Sequence, residues 1–339
     1  MPLSHRSEKA SPPTEPNALG FRAKNVEVAL GWGRRAGFTE WVALGLAVRA
    51  LIHTSFDGGW QHGVMPLDPA AILACGDVHG DAGEVDYCLT VAQAQQAQAA
   101  FFLGDFGYWE HEPSGVSYLD EVEKAARAHD LPVYFLDGNH DKISLLLDTY
   151  DERDDEGFVI VRPHVRYAPR GHRWTWSDVR FLSFGGAYST DKEPRLLMEQ
   201  RRARYQDLPQ HALAGTLWFP EEEATDADLE AALDGPPIDA LLTHDKPRGS
   251  EPAINRKDEW DAYPNQDRIQ RLVDELTPKL LVHGHLHYRY SDQLGSTRVE
   301  GLACDPRAGW GMPGYSHDDL HLRVDLADLV SWTPERAPS

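Results

Sequence analysis

The chain has 339 residues, a 41% hydrophobic content and a formal net charge of −21. This length suits one large α/β domain or two small ones, and either can bury a substantial core. The acidic excess argues against extensive nucleic-acid binding, because proteins that grip long nucleic acids usually present a basic face to the phosphates.

The N-terminal region divides into two predicted parts. Residues 1–20 are rich in Pro and Ser and poor in large apolar side chains, which predicts a disordered tail. Residues 21–68 form an extension in which Thr39 is a plausible N-cap and apolar residues from Trp41 to Ile52 recur at helical spacing. This helix either packs on the main domain or binds a partner, including a second copy of the chain; membrane association is a lesser alternative.

The sequence favours a cytoplasmic protein. Its N-terminus has no apolar leader segment, and its longest apolar stretch is too short to span a membrane. The three cysteines, Cys75, Cys88 and Cys304, show no CxxC spacing, which argues against a disulfide framework or a thiolate zinc site.

From about residue 70, short apolar runs alternate with helical segments. Strands are predicted at 71–75, 100–103, 132–136, 158–161, 173–176, 179–182, 240–242, 279–282, 298–302 and 321–324, and helices at 85–97, 119–128, 143–147, 221–233 and 269–273. Mixed βα units followed by further strands predict an α/β fold, a layered αββα sandwich of mixed β-sheets with outer helices. We expect one domain over residues 69–330 and a C-terminal tail at 331–339.

Metal-binding side chains follow strand after strand. The segments are Gly76-Asp77-Val78-His79-Gly80, Gly104-Asp105, Gly138-Asn139-His140-Asp141, Thr243-His244-Asp245 and Gly284-His285-Leu286-His287. Ligands of open α/β sheets collect at strand ends. In an extended segment, Asp-x-His spacing directs both side chains to one face. A single such residue is commonly a cap or a loop residue, but five in series predict a metal site at the strand ends.

This ordered set, GDVHG, GD, GNHD, TH and GHLH, resembles the calcineurin-like metallophosphoesterases over roughly residues 70–310. The resemblance implies two divalent metal ions, with Mn favoured and Fe, Zn or Ni as alternatives. It implies that Asp77, His79 and His287 bind one ion, that Asn139, His244 and His285 bind the other, and that Asp105 bridges them. Two such ions clamp a phosphate and activate water for attack on phosphorus.

The resemblance also assigns roles beside the ligands. His140 is the expected catalytic residue, which binds the phosphate or protonates the leaving oxygen, with support of Asn139 as the alternative. By its position before a predicted helix, Asp141 either orients His140 or caps that helix, and the cap is favoured. His283, on the strand that precedes His285, is expected to be structural or to support a metal ligand.

One departure from the family pattern bears on the substrate. Phosphoprotein phosphatases of this family read GDxxDRG and GNHE, whereas the chain has Gly104-Asp105-Phe106-Gly107-Tyr108-Trp109-Glu110, without the phosphate-binding Arg. A phosphodiester carries one charge fewer than a phosphomonoester and needs less cationic compensation. The sequence therefore favours a phosphodiesterase of small nucleotides, such as 2′,3′-cyclic nucleotides.

Several alternatives stay open. The enzyme rivals are a phosphomonoesterase, including a phosphoprotein phosphatase, and a nuclease; a catalytically dead metal-binding scaffold is the non-enzyme rival. Lys192, Arg195 or Arg248 could replace the missing Arg in space. A segment from Phe184 to Lys192, leading to Trp218-Phe219-Pro220-Glu221-Glu222, resembles one found in microbial and phage members, and its Gly pair predicts a tight turn near the cleft.

Overall fold

Two β-sheets make up the centre of the molecule. The computed structural model describes residues 67–107, 113–250, 262–306 and 316–332, and the described residues fall in one compact unit. The predicted tail at 1–20, the helix between Trp41 and Ile52 and the last residues of the C-terminal tail lie outside the described residues.

The first sheet has six strands in the order β12-β1-β2-β3-β5-β4. Its strands are β1 (Ala71–Cys75), β2 (Ala100–Leu103), β3 (Val133–Leu136), β4 (Val159–Arg162), β5 (Val165–Tyr167) and β12 (His321–Asp325). Strands β1, β2, β3 and β5 are parallel, and the two edge strands β12 and β4 run antiparallel to their neighbours.

The second sheet repeats this plan in the order β10-β11-β9-β8-β7-β6. Its strands are β6 (Arg173–Trp176), β7 (Val179–Phe184), β8 (Ala240–Thr243), β9 (Leu280–His283), β10 (Tyr290–Leu294) and β11 (Thr297–Gly301). The inner four strands are parallel, and β10 and β6 are antiparallel edges. In each sheet the carboxyl ends of the parallel strands therefore lie at the same end of the sheet.

The described residues include seven α-helices, the last of which follows the final strand. They are α1 (Ala82–Ala94), α2 (Pro113–His129), α3 (Ile143–Thr149), α4 (Lys192–Tyr205), α5 (Asp226–Leu233), α6 (Tyr263–Leu276) and α7 (Leu326–Ser331), with 3-10 turns at Pro220–Glu222 and His317–Leu320. Within the described ranges, no helix has the length and apolar content needed to cross a membrane.

The inner strands are largely buried on both faces, which gives the molecule four layers. In β1, Ile72 and Ala74 belong to the core between the sheets, whereas Leu73 and Cys75 face a core shared with α1 and α2. The outer face of the second sheet packs on α5 and α6. Alternate residues point to opposite faces, so a strand covered on both sides is a continuous apolar run. The predicted αββα sandwich of mixed sheets is confirmed.

Most predicted elements are present, and their ends differ by a few residues. The helix predicted at 221–233 is split, because its first residues form the 3-10 turn and Thr225 caps a shorter α5. Four elements were not predicted from the sequence: β5, α4, β10 and α7. Strand β10 is a polar edge, with the sequence YSDQL, and lacks the apolar run that marked the inner strands.

Candidate metal centre

The predicted ligands converge at the carboxyl ends of the parallel strands of both sheets. The first sheet supplies Asp77 and His79 after β1, Asp105 after β2 and Asn139 after β3; the second supplies His244 after β8, and His285 and His287 after β9. Asp77, Asp105, Asn139 and His244 are almost completely buried. The site therefore lies where the two sheets meet at one edge.

One group of side chains forms around Asp77. Its carboxylate lies 3.1 Å from His287 Nε2 and accepts hydrogen bonds from the His285 backbone N–H at 3.0 and 3.1 Å. The Nε2 atoms of His79 and His287 face each other at 3.1 Å. Ligand atoms of Asp77, His79, Asp105 and His287 all lie within 4.8 Å of one another, which brings the predicted first ligand set together with the predicted bridge.

The second group forms around His244. Its Nε2 lies 3.0 Å from Asn139 Oδ1, and its ring centroid lies 5.0 Å from that of His285. The other ring nitrogen, Nδ1, lies 2.6 Å from the Leu103 carbonyl oxygen. A hydrogen bond from Nδ1 to that carbonyl would make Nε2 the nitrogen available to a metal, because a backbone acceptor can orient a histidine in this way.

Asp105 lies between the two groups. Its Oδ2 is 3.8 Å from His79 Nδ1, and its Oδ1 is 3.4 Å from His244 Nε2. Oδ1 also accepts a hydrogen bond of 2.8 Å from the His140 backbone N–H. The carboxylate thus reaches both groups at once.

Burial and mutual charge set the ionisation of these groups. Burial lowers the pKa of His79, and it lowers the pKa of His285 well below its usual value. For Asp77, burial raises the pKa, but the hydrogen bond with His287 and the nearby His244 outweigh it and lower the pKa overall. The carboxylates of Asp105 and Asp77 have the opposite effect on the other two histidines and raise the pKa of His244 and of His287 to about 10 despite burial. Divalent metals need neutral imidazoles and ionised carboxylates, so metal binding would displace protons from these two histidines.

The backbone of the Asp77-Val78-His79 segment is not extended, although the Asp-x-His spacing predicted an extended segment. Strand β1 ends at Cys75, and His79 has a φ of 45°; His285 and His287 have φ values of 66° and 61°. Each of these residues adopts the left-handed conformation, which non-glycine residues rarely do and which is frequent at functional sites. Tight turns, and not strand alternation, bring these ligands together.

Glycines next to the ligands make room for other ligands. A Cβ on Gly284 would lie 2.1 Å from Asp77 Oδ1, and one on Gly104, whose φ is +93°, would lie 2.3 Å from His244 Nδ1. These glycines therefore permit side chains from the opposite sheet to approach the backbone.

His140 lies at the edge of this centre. Its ring centroid is 5.7 Å from that of His79, and the residue is partly exposed. It is therefore accessible to a substrate bound beside His79.

The preferred role of Asp141 as a helix cap is wrong. Helix α3 has Lys142 at its N-cap position and no side-chain cap hydrogen bond. The buried Asp141 carboxylate instead accepts hydrogen bonds from the backbone N–H groups of Phe106, Gly107 and Gly138. It ties the loop that carries Asp105 to the loop that carries Asn139.

His283, as expected, is structural. Its ring is fully buried, and its nitrogens lie 2.8 Å from the Gly284 carbonyl oxygen and 2.7 Å from the Tyr290 hydroxyl. Burial lowers its pKa to about 3.

Three further residues form a chain of contacts that begins at Asn139. Ser189 contacts its side-chain amide, and Glu222 and Arg195 contact Ser189. The sequence placed the segments containing Ser189 and Glu222 near the cleft but did not identify these residues. A buried Ser-Glu-Arg set has no characteristic spacing in the chain, so no pattern could have found it.

The donor set fits the implied metals. Imidazole nitrogens, carboxylate oxygens and one carboxamide oxygen converge here, and this mixture suits Mn, Fe or Zn. Two imidazole nitrogens that face each other at 3.1 Å beside buried carboxylates are arranged to share a cation.

Comparison with known proteins is consistent with this arrangement. A family model described as calcineurin-like phosphoesterase matches residues 70–289. No curated protein sequence matches the chain significantly.

Solved structures show only a distant likeness. A protein of Thermus thermophilus shares 16% identity over 70% of this chain and 90% of its own, with a TM-score of 0.43. A dimetal phosphatase from Danio rerio shares 14% over 70% and 88%, with a TM-score of 0.40. A structure described as an archaeal phosphodiesterase shares 10% over 75% and 98%, with a TM-score of 0.33.

The family match covers most of the described chain and includes every predicted ligand. This family uses a dinuclear divalent metal site, and Asp and His residues of the chain are positioned to bind metal. The chain therefore belongs to the calcineurin-like phosphoesterase family, and it is a hydrolase that acts on phosphate esters.

Proposed function

We propose that the protein is a phosphodiesterase that acts on small nucleotides, with 2′,3′-cyclic nucleotides as the leading substrates. Asp77, His79 and His287 would hold one metal, Asn139, His244 and His285 would hold the other, and Asp105 would serve both. The metals would supply Lewis acidity for the attack of water on phosphorus.

The observation that carries the diester preference is the position of three cations. Arg195 pairs with Glu222 at 2.6 Å and with Asp191 at 3.1 Å. The ammonium of Lys192 lies 4.3 Å from the Trp218 ring centroid, and the guanidinium of Arg248 lies over the Tyr263 ring. Each candidate replacement for the missing Arg is thus engaged in another contact.

The surface beside His79 supports a small substrate. A groove of about 490 Å³ is lined by residues 78–83 and Asp305. That volume is in the range of small-molecule sites. Its carboxylates, Asp81 and Asp305, repel additional phosphates, so an extended nucleic acid is a poor occupant.

His140 acts on the substrate in this proposal. Its backbone is held by Asp105, and its ring stands beside His79 at the edge of the centre. From there the imidazolium donates a proton to the leaving oxygen as the P–O bond breaks.

The proposal is tested by comparing bis(4-nitrophenyl) phosphate with 4-nitrophenyl phosphate at neutral pH, with Mn²⁺ and with a chelator. We expect a higher kcat/KM for the diester, because a monoanion needs less cationic compensation. A nucleotide 2′,3′-cyclic phosphate should give a monoester that accumulates.

Lys192→Ala is the control and should leave the diester-to-monoester ratio unchanged. Tenfold faster turnover of the monoester by the unmodified protein would make it a phosphomonoesterase. A monoester-selective loss in Lys192→Ala would identify Lys192 as the phosphate clamp.

A further inference from the structure

The region between β7 and β8 places a polar cluster behind Asn139. Ser189 precedes α4, Arg195 lies in the first turn of α4, and Glu222 ends the 3-10 turn. Ser189 and Glu222 are each 2% exposed, and the Arg195 side chain is 11% exposed. This cluster has no direct part in the proposed ligand set, yet it contacts one of its members.

The hydrogen bonds of this cluster form a chain that starts at Asn139. The Asn139 side-chain N–H donates to Ser189 Oγ at 2.9 Å, and the Ser189 hydroxyl donates to Glu222 Oε2 at 2.5 Å. Arg195 also donates to Ser189 Oγ, and it donates to the Leu217 carbonyl at 2.9 Å.

The chemistry of these groups dictates the direction of the chain. A serine hydroxyl has one proton and two lone pairs, a carboxylate only accepts, and a guanidinium only donates. In its ionised form, which the Arg195 guanidinium stabilises at 2.6 Å, Glu222 takes the single Ser189 proton, and Arg195 occupies one lone pair. Ser189 can then only accept from Asn139, so the Asn139 amide must turn its nitrogen toward Ser189.

This direction matters because a carboxamide has two ends of similar shape. With its nitrogen on Ser189, Asn139 presents Oδ1 toward His244 Nε2, at 3.0 Å. The flipped amide would present N–H groups to the metal position, and N–H groups cannot bind a cation. We propose that Ser189, held by Glu222 and Arg195, is a positioning residue that fixes the Asn139 carboxamide with its oxygen toward the metal.

The inference rests on the proposed ligand role of Asn139. Removing a group that orients a metal ligand typically costs 10–100-fold in metal affinity. Ser189→Ala should therefore weaken one of the two metal-binding events by about 10–100-fold and leave the other unchanged.

The test is calorimetric titration of Mn²⁺ into the metal-free full-length protein, with metal content measured after dialysis. Burial raises the pKa of Glu222 to about 8 despite the neighbouring Arg195, so the titrations are run without oxygen at pH 8.5, where the carboxylate is mostly ionised. Raising the Mn²⁺ concentration should restore much of the activity of Ser189→Ala, which a defect in the chemical step would not allow.

The matched control is Ser183→Ala. Ser183 is equally buried and donates to the Pro169 carbonyl at 2.6 Å, but it contacts no predicted ligand. The Ser183→Ala variant should bind both metals with unchanged affinity. Glu222→Gln keeps the shape of the side chain and removes the fixed direction, so it should weaken the same binding event even if Ser189→Ala folds poorly.

Asn139→Ala separates failure of the inference from failure of the ligand assignment. If Asn139→Ala loses one metal while Ser189→Ala and Glu222→Gln bind both metals within twofold of the unmodified protein, Ser189 does not position Asn139. If Asn139→Ala itself retains both metals, the ligand assignment fails, and the inference fails with it.

Discussion

Asp105 and Asp141 form a reciprocal connection between two ligand-bearing loops. Asp105, on the first loop, accepts from the His140 backbone of the second. Asp141, on the second loop, accepts from the Phe106 and Gly107 backbones of the first. Buried carboxylates satisfied by backbone N–H groups are strong, directional contacts. The spacing between Asp105 and Asn139 is thereby set by side chains of the same two segments.

His140 is tested by the leaving group. His140→Ala should leave metal content near normal and lower kcat by about 10²–10⁴, the range for a positioned general acid. The loss should be larger for an alkyl ester, whose alkoxide needs a proton, than for a 4-nitrophenyl ester, whose leaving group departs as the anion. Steady-state kinetics on the two ester classes make the comparison.

His129→Ala is the matched control, because His129 is also partly exposed but lies at the C-terminal end of α2, where it pairs with Asp86. It should change neither substrate. Equal losses for both ester classes in His140→Ala would assign the residue to phosphate binding or to support of Asn139.

Among the elements, α4 most changes the interpretation of the sequence. Half of its residues, KEPRLLMEQRRARY, are charged, and they include one short apolar cluster at Leu196, Leu197 and Met198. Without an apolar stripe, helical periodicity is invisible. The helix nevertheless positions Arg195 against Glu222, so an element that the pattern did not predict supports the candidate site.

The aromatic residues of β6 form a cluster with His172, the residue that precedes this strand. The His172 ring lies 4.5 Å from the Phe158 ring and 5.5 Å from the Trp174 ring. Its buried Nε2 has no hydrogen-bond partner among the described residues. Burial, together with the nearby Arg153, lowers the pKa of His172 to about 4.

This histidine should make stability depend on pH. Its folded pKa of about 4 lies below the ordinary histidine value of 6.5, so the unfolded chain binds the proton first as pH falls. The resulting loss of stability begins near pH 6.5 and grows until about pH 4. His172→Phe should therefore raise the melting temperature relative to the unmodified protein by an amount that increases over this window.

His211→Gln, at an exposed position, is the control and should show no such trend. A constant difference in melting temperature between His172→Phe and the unmodified protein from pH 7 to pH 4 would contradict the assignment.

At the scale of the whole molecule, the candidate site joins the two sheets. Asp77, Asp105 and Asn139 follow strands of the first sheet, and His244 and His285 follow strands of the second. In the proposed ligand set, each metal takes ligands from both sheets. Metal binding should therefore hold the two halves of the sandwich together.

Metal removal should lower global stability. A ligand at 100 times its Kd stabilises the folded state by about 2.7 kcal/mol per site. For a domain of this size, that corresponds to a shift in melting temperature of at least about 5 °C. Calorimetry with and without chelator measures the shift, and Asp105→Asn should reduce it. A melting temperature that is independent of Mn²⁺ would contradict metal binding across the sheets.

The sequence by itself determined the layered fold and the order of the ligand motifs. Strands such as Ile72–Cys75 and Phe101–Leu103 are covered on both faces, so burial makes them continuous apolar runs that a reader of the sequence can recognise. The turns that follow them carry Asp, Asn and His beside Gly, because only such segments bring polar ligands and close backbone together.

The tertiary structure alone decided how the candidate metal ligands are oriented. His79, His285 and His287 adopt left-handed backbone conformations that their spacing does not predict. The hydrogen bonds of Asp141 and the contact between Ser189 and Glu222 join residues that are far apart in the chain. Their positions depend on which sheet edges meet and which backbone N–H groups need acceptors. The local sequence pattern does not predict such pairs, because Ser, Glu and Asp are usually surface residues and are buried only where a hydrogen-bonding partner satisfies them.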